Sequence, residues 1–134
     1  MGEPGAIFLA EDSPADVYLF REALKAHGIE HELLVFDDGE TAMSFLLQAE
    51  HSGPMLKLFV LDLNLPKIDG EAILKHLRDT QRFAQSRVAI LTSSDNPDDR
   101  DAATRHGADC YIRKPSSIAE FLDIGRLIKS MLAE

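Results

Sequence analysis

The chain has 134 residues, 45% of them hydrophobic and 28% charged, with 14 Lys plus Arg against 23 Asp plus Glu for a net charge of −9. That length suits one domain with a single core, and the acidic balance argues against electrostatic attachment to nucleic acid or anionic membrane, which depends on clustered Lys and Arg. No apolar stretch reaches the roughly 18 residues of a membrane-spanning helix, and Met1-Gly2-Glu3-Pro4 lacks the basic and apolar regions of a signal peptide. The single cysteine, Cys110, can form no internal disulfide and lies in an apolar-leaning run. It reads as a buried structural thiol in a reducing, cytoplasmic setting.

In chain order, residues 6–10 form a short apolar run, a buried strand that ends in Glu11-Asp12. Ser13 then suits a helix cap and Pro14 the first helical position, with Asp16 in a first turn where the helix dipole favours an anion. Val17, Phe20 and Leu24 recur at helical spacing as far as about His27, and Gly28 ends the helix. Residues 31–36 read as a second strand closing at Asp37-Asp38-Gly39. A helix follows over residues 40–50, with Ala42, Phe45, Leu46 and Ala49 on one face. Residues 58–61 are continuously apolar, as in a strand buried on both faces, and end in Asp62-Leu63-Asn64-Leu65-Pro66. Asp69-Gly70 opens a helix to about Thr80 carrying Ile73, Leu74 and Leu77. Residues 87–91 form a fourth strand running into Thr92-Ser93-Ser94. Asn96-Pro97 starts a weakly apolar helix to about His106, and residues 95–101 form its acidic N-terminus and solvated face. Residues 110–112 are a last strand stopped by Lys114-Pro115, and Ser116 or Ser117 caps a final helix.

Strands alternating five times with helices imply a parallel sheet covered on both faces. The carboxyl ends of its strands then gather Glu11, Asp12, Asp62, Thr92 with Ser93, and Lys114 at one edge, where open α/β sheets build their sites. Neighbouring carboxylates repel unless a cation holds them, and their oxygens suit Mg²⁺. Lys114 and the Thr92 hydroxyl are the donor types that hold phosphoryl oxygens, and an aspartate can itself attack phosphorus. No glycine-rich phosphate loop is present, which argues against dinucleotide binding and nucleoside triphosphate hydrolysis. His27, His31, His51, His76 and His106 show no metal-ligand spacing and read as solvated helix-end residues.

Taken together, Glu11-Asp12, Asp62-Leu-Asn-Leu-Pro with Asp69-Gly70, Thr92-Ser93, Tyr111 and Lys114-Pro115 resemble the receiver domain of bacterial two-component response regulators over almost the whole chain. The resemblance implies a flavodoxin-like, CheY-like (βα)5 fold with a doubly wound five-stranded parallel sheet in strand order 2-1-3-4-5. It implies that Asp62 is the phosphoacceptor for a histidine kinase and that Mg²⁺ is held by Glu11, Asp12, Asp62 and the Asn64 carbonyl. Glu11, longer than the Asp of many members, is expected to act through water more often than directly. Thr92 would be the switch hydroxyl, Tyr111 the aromatic that follows it, and Lys114 the phosphate-pairing lysine, with a cis Lys114–Pro115 bond. Residues 13–24 and 62–67 further resemble receivers that partner with bacterial and cyanobacterial phytochrome kinases.

The expectation is one receiver domain over residues 1–134, with no output domain. It would be a phosphoacceptor with self-catalysed transfer and dephosphorylation rather than a turnover enzyme, either switching its surface or passing the phosphoryl group on. Ile124 and Leu132 look exposed, so the face of the fourth helix, fifth strand and fifth helix is expected to serve a homodimer or kinase docking. An aspartyl-phosphate phosphohydrolase shares much of this machinery but needs an acid–base Asp where this chain has Asn64. An interaction module with a degenerate site is the third alternative.

Overall fold

The computed structural model describes residues 5–133; residues 1–4, read above for signal-peptide features, and Glu134 lie outside the described residues. Ten elements alternate: β1 (Ala6–Ala10), α1 (Pro14–Ala26), β2 (Glu32–Phe36), α2 (Gly39–Ala49), β3 (Leu56–Leu61), α3 (Gly70–Asp79), β4 (Arg87–Thr92), α4 (Pro97–Arg105), β5 (Cys110–Arg113) and α5 (Ile118–Leu132). All strands are parallel, in the order β2-β1-β3-β4-β5. The expected α/β flavodoxin-like topology is therefore the observed one.

The side-chain period of two explains why the central strands read as unbroken apolar runs. Phe8, Ala10, Phe59, Leu61, Val88 and Ile90 point to one face and pack with α2, α3 and Ala103 of α4. Their neighbours Ile7, Leu9, Leu58, Val60, Ala89 and Leu91 point to the other, against Phe20 and Leu24 of α1 and Phe121, Ile124 and Ile128 of α5. Each face has its own core, so no strand position is left for a polar residue until the chain leaves the sheet.

Every helix begins with a side-chain cap. Ser13, Asp38, Asp69, Asn96 and Ser117 accept from the amides of Asp16, Thr41, Ala72, Asp98 and Glu120. Each cap contributes about 1 kcal/mol. More important for function, each fixes where a helix starts after its strand, so the five helix N-termini and the five strand carboxyl ends share one edge.

Three expectations need correction. The Lys114–Pro115 bond is trans, as no cis peptide occurs among the described residues; the prolyl bond keeps its intrinsic trans preference. Ile124 is buried, because α5 packs closely on α1, and the apolar residues α5 exposes are Ile118 and Leu127. That close packing occurs at Gly125, where a Cβ would meet the His27 ring and the Ala23 carbonyl. His27 is accordingly half-buried, not solvated, with Nε2 hydrogen-bonded to the Leu122 carbonyl at 3.1 Å. Cys110 is half-buried, and burial pushes its thiol pKa up, which keeps it unreactive.

Candidate functional site

The site is assembled at strand ends by backbone hydrogen bonds that continue the sheet past its last formal residues. The Asp62 amide donates to Ala10 O at 3.0 Å, that of Glu11 to Phe36 O at 2.9 Å, and that of Lys114 to Thr92 O at 2.8 Å. Among the described residues, Glu11, Asp62 and Thr92 are the buried polar or charged side chains, each under 5% exposed. A fold that buries only apolar residues elsewhere has put three polar ones here.

Behind Asp62, the loop to α3 is packed tightly. A Cβ on Gly70 would overlap the Asp62 carbonyl, so only glycine lets α3 begin so close to the strand end. Further along, the Ile68 amide donates to Pro66 O at 2.9 Å around Lys67, whose φ is +71°. Pro66 O also accepts from Gly39 at 3.1 Å, joining this loop to the start of α2. Leu65 is buried beneath it.

Lys114 Nζ lies 2.8 Å from each of Asp62 Oδ2, Glu11 Oε1 and Asp16 Oδ2. The contact with Glu11 lacks hydrogen-bond geometry, so Glu11 Oε1 is a buried oxygen with a nearby charge but no donor. Asp62 Oδ1 accepts the Asn64 amide at 3.0 Å. Burial opposes ionisation of Asp62, but donation from Lys114 and the Asn64 amide and the Lys114 charge outweigh it and hold its pKa below the ordinary value. For Glu11, burial dominates. Lys114 offsets it only in part, the Asp62 charge adds to it, and the pKa rises to about 7. Burial also works against the Lys114 charge, yet the carboxylates of Asp16, Asp62 and Glu11 raise its pKa overall. One ammonium cannot balance three carboxylates, and Glu11 is the one among them whose hold on a proton is strengthened.

Carboxylate oxygens of Glu11, Asp12 and Asp62 lie within 4.8 Å of one another. The unsatisfied Glu11 oxygen and the exposed Asp12 beside it fit a hard divalent cation, which would supply the missing positive charge. Thr92 Oγ1 has only long contacts, 3.5 Å to Asn64 Nδ2 and 3.4 Å to the Ser94 amide. Tyr111 is half-buried, its ring 5.0 Å beneath the Arg100 guanidinium and its hydroxyl donating to Ser94 O at 3.1 Å.

Thus Glu11, Asp12, Asp62, Asn64, Thr92 and Lys114 converge, while Tyr111 of β5 turns its hydroxyl to Ser94 in the β4–α4 loop. Two participants were missed from the sequence. Asp16 was read only as a helix-start anion, although its place in the first turn of α1 already put it at this edge. Ser94 ties three parts together: its amide faces Thr92, its carbonyl accepts Tyr111, and its hydroxyl donates to Asp99 Oδ2 at 2.6 Å. Nothing in its sequence context marked it apart from Ser93.

A family model described as the response regulator receiver domain matches residues 7–125. Response regulator Rcp1 of Synechocystis sp. is 37% identical over 133 residues, covering 98% of this chain and 90% of that protein. The solved structure of the phosphorylated cyanobacterial phytochrome response regulator RcpA is similar with a TM-score of 0.89 and 31% identity, covering 98% of this chain and 96% of that one. The Mn²⁺-bound form of Rcp1 has a TM-score of 0.85 and 38% identity, with coverages of 95% and 93%. With its fold, its acidic strand-end cluster and the family match over most of its length, the chain belongs to the response regulator receiver domains of two-component signalling.

Proposed function

We propose that the protein is a phosphorylated switch in which Asp62 accepts a phosphoryl group from a phosphohistidine of a sensor kinase, with Mg²⁺ as the metal. The observation that carries this is the setting of Asp62: a buried carboxylate held ionised by Lys114 and the Asn64 amide, at an edge that gathers two further acidic side chains. An Asp62 oxygen bonds to phosphorus as the P–N bond breaks, its electron pair returning to the imidazole. Glu11, Asp12 and Asp62 would hold Mg²⁺, with the Asn64 carbonyl, and the ion supplies positive charge against the phosphoryl oxygens. Lys114 would donate to one of those oxygens and Thr92 to another.

Thr92 is weakly engaged, so its turn toward the phosphoryl group costs little. That turn removes the Ser94 amide's contact and, through Ser94, disturbs both the start of α4 and the hydroxyl of Tyr111. The face of α4, β5 and α5 then changes, which is a local charge biasing a packed two-state element. We read residues 1–134 as one receiver domain acting in the cytoplasm. It would not be a turnover enzyme on small phosphoesters, since Asn64 offers no acid–base group. Similarity to RcpA, a phytochrome response regulator crystallised in phosphorylated form, supports a phytochrome-type histidine kinase as partner. The Mn²⁺-bound Rcp1 structure supports the cation.

Acetyl phosphate with Mg²⁺ is expected to add one phosphoryl group to the wild type by intact mass and none to Asp62→Asn. Full labelling of that variant at another residue would overturn the assignment.

A further inference from the structure

Three carboxylates surround Lys114, and one of them lies outside the acidic cluster. Nζ is 2.8 Å from Asp62 Oδ2, Glu11 Oε1 and Asp16 Oδ2 alike. Of the three N–H donors of the ammonium, one goes to Asp62 and one to Asp16, and Glu11 Oε1 lies beside it without hydrogen-bond geometry. Asp16 belongs to the first turn of α1, where its amide is capped by Ser13, and its side chain is a quarter exposed. It reaches Lys114 across 98 residues of chain. In the sheet, β3 and β4 lie between β1, which leads into α1, and β5, which leads into Lys114. The lysine therefore spans the site from the β5 side to the β1 side.

The geometry points to Asp16 as a positioning residue that holds Lys114 in the unphosphorylated state and competes with the phosphoryl group for it. This rests on Asp62 being the phosphoacceptor. Two effects act in the same direction. The hydrogen bond to Asp16 holds the ammonium in place and has to yield as Lys114 turns to a new oxygen, and the Asp16 charge stands on the same ammonium that the phosphoryl dianion needs, so the two anions repel. Asp16 loses little when released, because the α1 N-terminus still favours an anion there. The ion pair also ties the start of α1 to the segment between β5 and α5. Engagement of Lys114 by the phosphoryl group loosens that tie, so the state of Asp62 is felt at α1 as well as at α4 and β5.

Beryllofluoride, which mimics a phosphoryl group on an aspartate, tests this by titration calorimetry on the full chain at saturating Mg²⁺. Asp16→Asn is expected to bind it about fivefold tighter than wild type, the scale of one partly exposed ion pair. Asp16→Glu, which keeps the charge, is expected to stay within about twofold of wild type. Asp16→Ser retains a residue suited to a helix start and carries the same expectation as Asp16→Asn if that variant folds poorly. A merely structural role would lower the melting temperature without tightening beryllofluoride. Neutral variants that bind no tighter than wild type overturn the inference. If wild type itself binds none, or Asp62→Asn binds equally well, the phosphoacceptor reading is what fails.

Discussion

At the metal-free site the carboxylates answer acid in opposite ways. Glu11 has its pKa raised from 4.5 to about 7, chiefly by burial, so its favourable contribution is complete below 4.5 and disappears as pH rises through 7. Asp62 is depressed below 3.8, so its contribution is present above that value and is lost as pH falls through the lowered pKa. The metal-free protein should accordingly be most stable in mildly acid solution. Glu11→Gln is expected to stabilise it at pH 8 by about 1–3 kcal/mol and to change little at pH 5, where Glu11 is already neutral. Thermal denaturation in a chelator at the two pH values checks this, and an equal gain at both would rule it out. The same variant should bind Mg²⁺ more weakly, since the buried oxygen that lacks a donor is the one a cation would satisfy.

Between elements, much of the fold's cohesion at the edge opposite the site comes from one side chain. Arg78, at the end of α3, donates to the carbonyls of Gly107, Ala84 and Ser86 and to Asp109 Oδ2, at 2.7–3.2 Å. Asp109 Oδ2 in turn accepts the Val88 amide at 2.8 Å. Arg78→Ala leaves several of these acceptors without a donor and is expected to cost about 2–4 kcal/mol in urea unfolding. Arg78→Lys should recover only part of it, because a single ammonium cannot reproduce the planar fork. Helix α4 contrasts with this. Ala103 is its one buried residue, and it is otherwise tied through Ser94–Asp99 and Arg100 over Tyr111. Its amides are expected to exchange with solvent faster than those of α3 and α5 in hydrogen-exchange mass spectrometry, and to change protection on phosphorylation. Uniform exchange across the helices would contradict the role given to Ser94.

For the molecule as a whole, metal binding and folding are linked, because the three carboxylates come from β1 and β3 and meet only when the sheet is formed. At Mg²⁺ ten times its dissociation constant, the expected gain is about 1.4 kcal/mol. A chemical-denaturation midpoint that ignores Mg²⁺ would remove the cation from the reading. Chelation should return wild type to its metal-free stability, whereas Asp12→Asn should respond to neither. No helix among the described residues is long and apolar enough to cross a membrane. A groove of about 310 Å³ between α4 and β5, lined by Ser94, Asn96, Arg100 and Tyr111, is where the proposed switch would reach the surface.

Local chemistry made most of this legible in advance. Apolar runs two-sided by period marked the strands, Ser, Asp and Asn caps marked the helix starts to within a residue, and the β–α alternation then determined which strand ends share an edge. Glu11, Asp12, Asp62, Thr92 and Lys114 could be grouped on that ground alone. Pairing at a distance could not. That Lys114 selects Asp16, that Glu11 rather than Asp62 carries the raised pKa, and that His27 and Ile124 are covered all depend on contacts between residues far apart in the chain. These are set by how closely α1 approaches α5 and how far one ammonium can reach across the end of a twisted sheet. Sequence period records which way a side chain points. Only packing decides what it meets there.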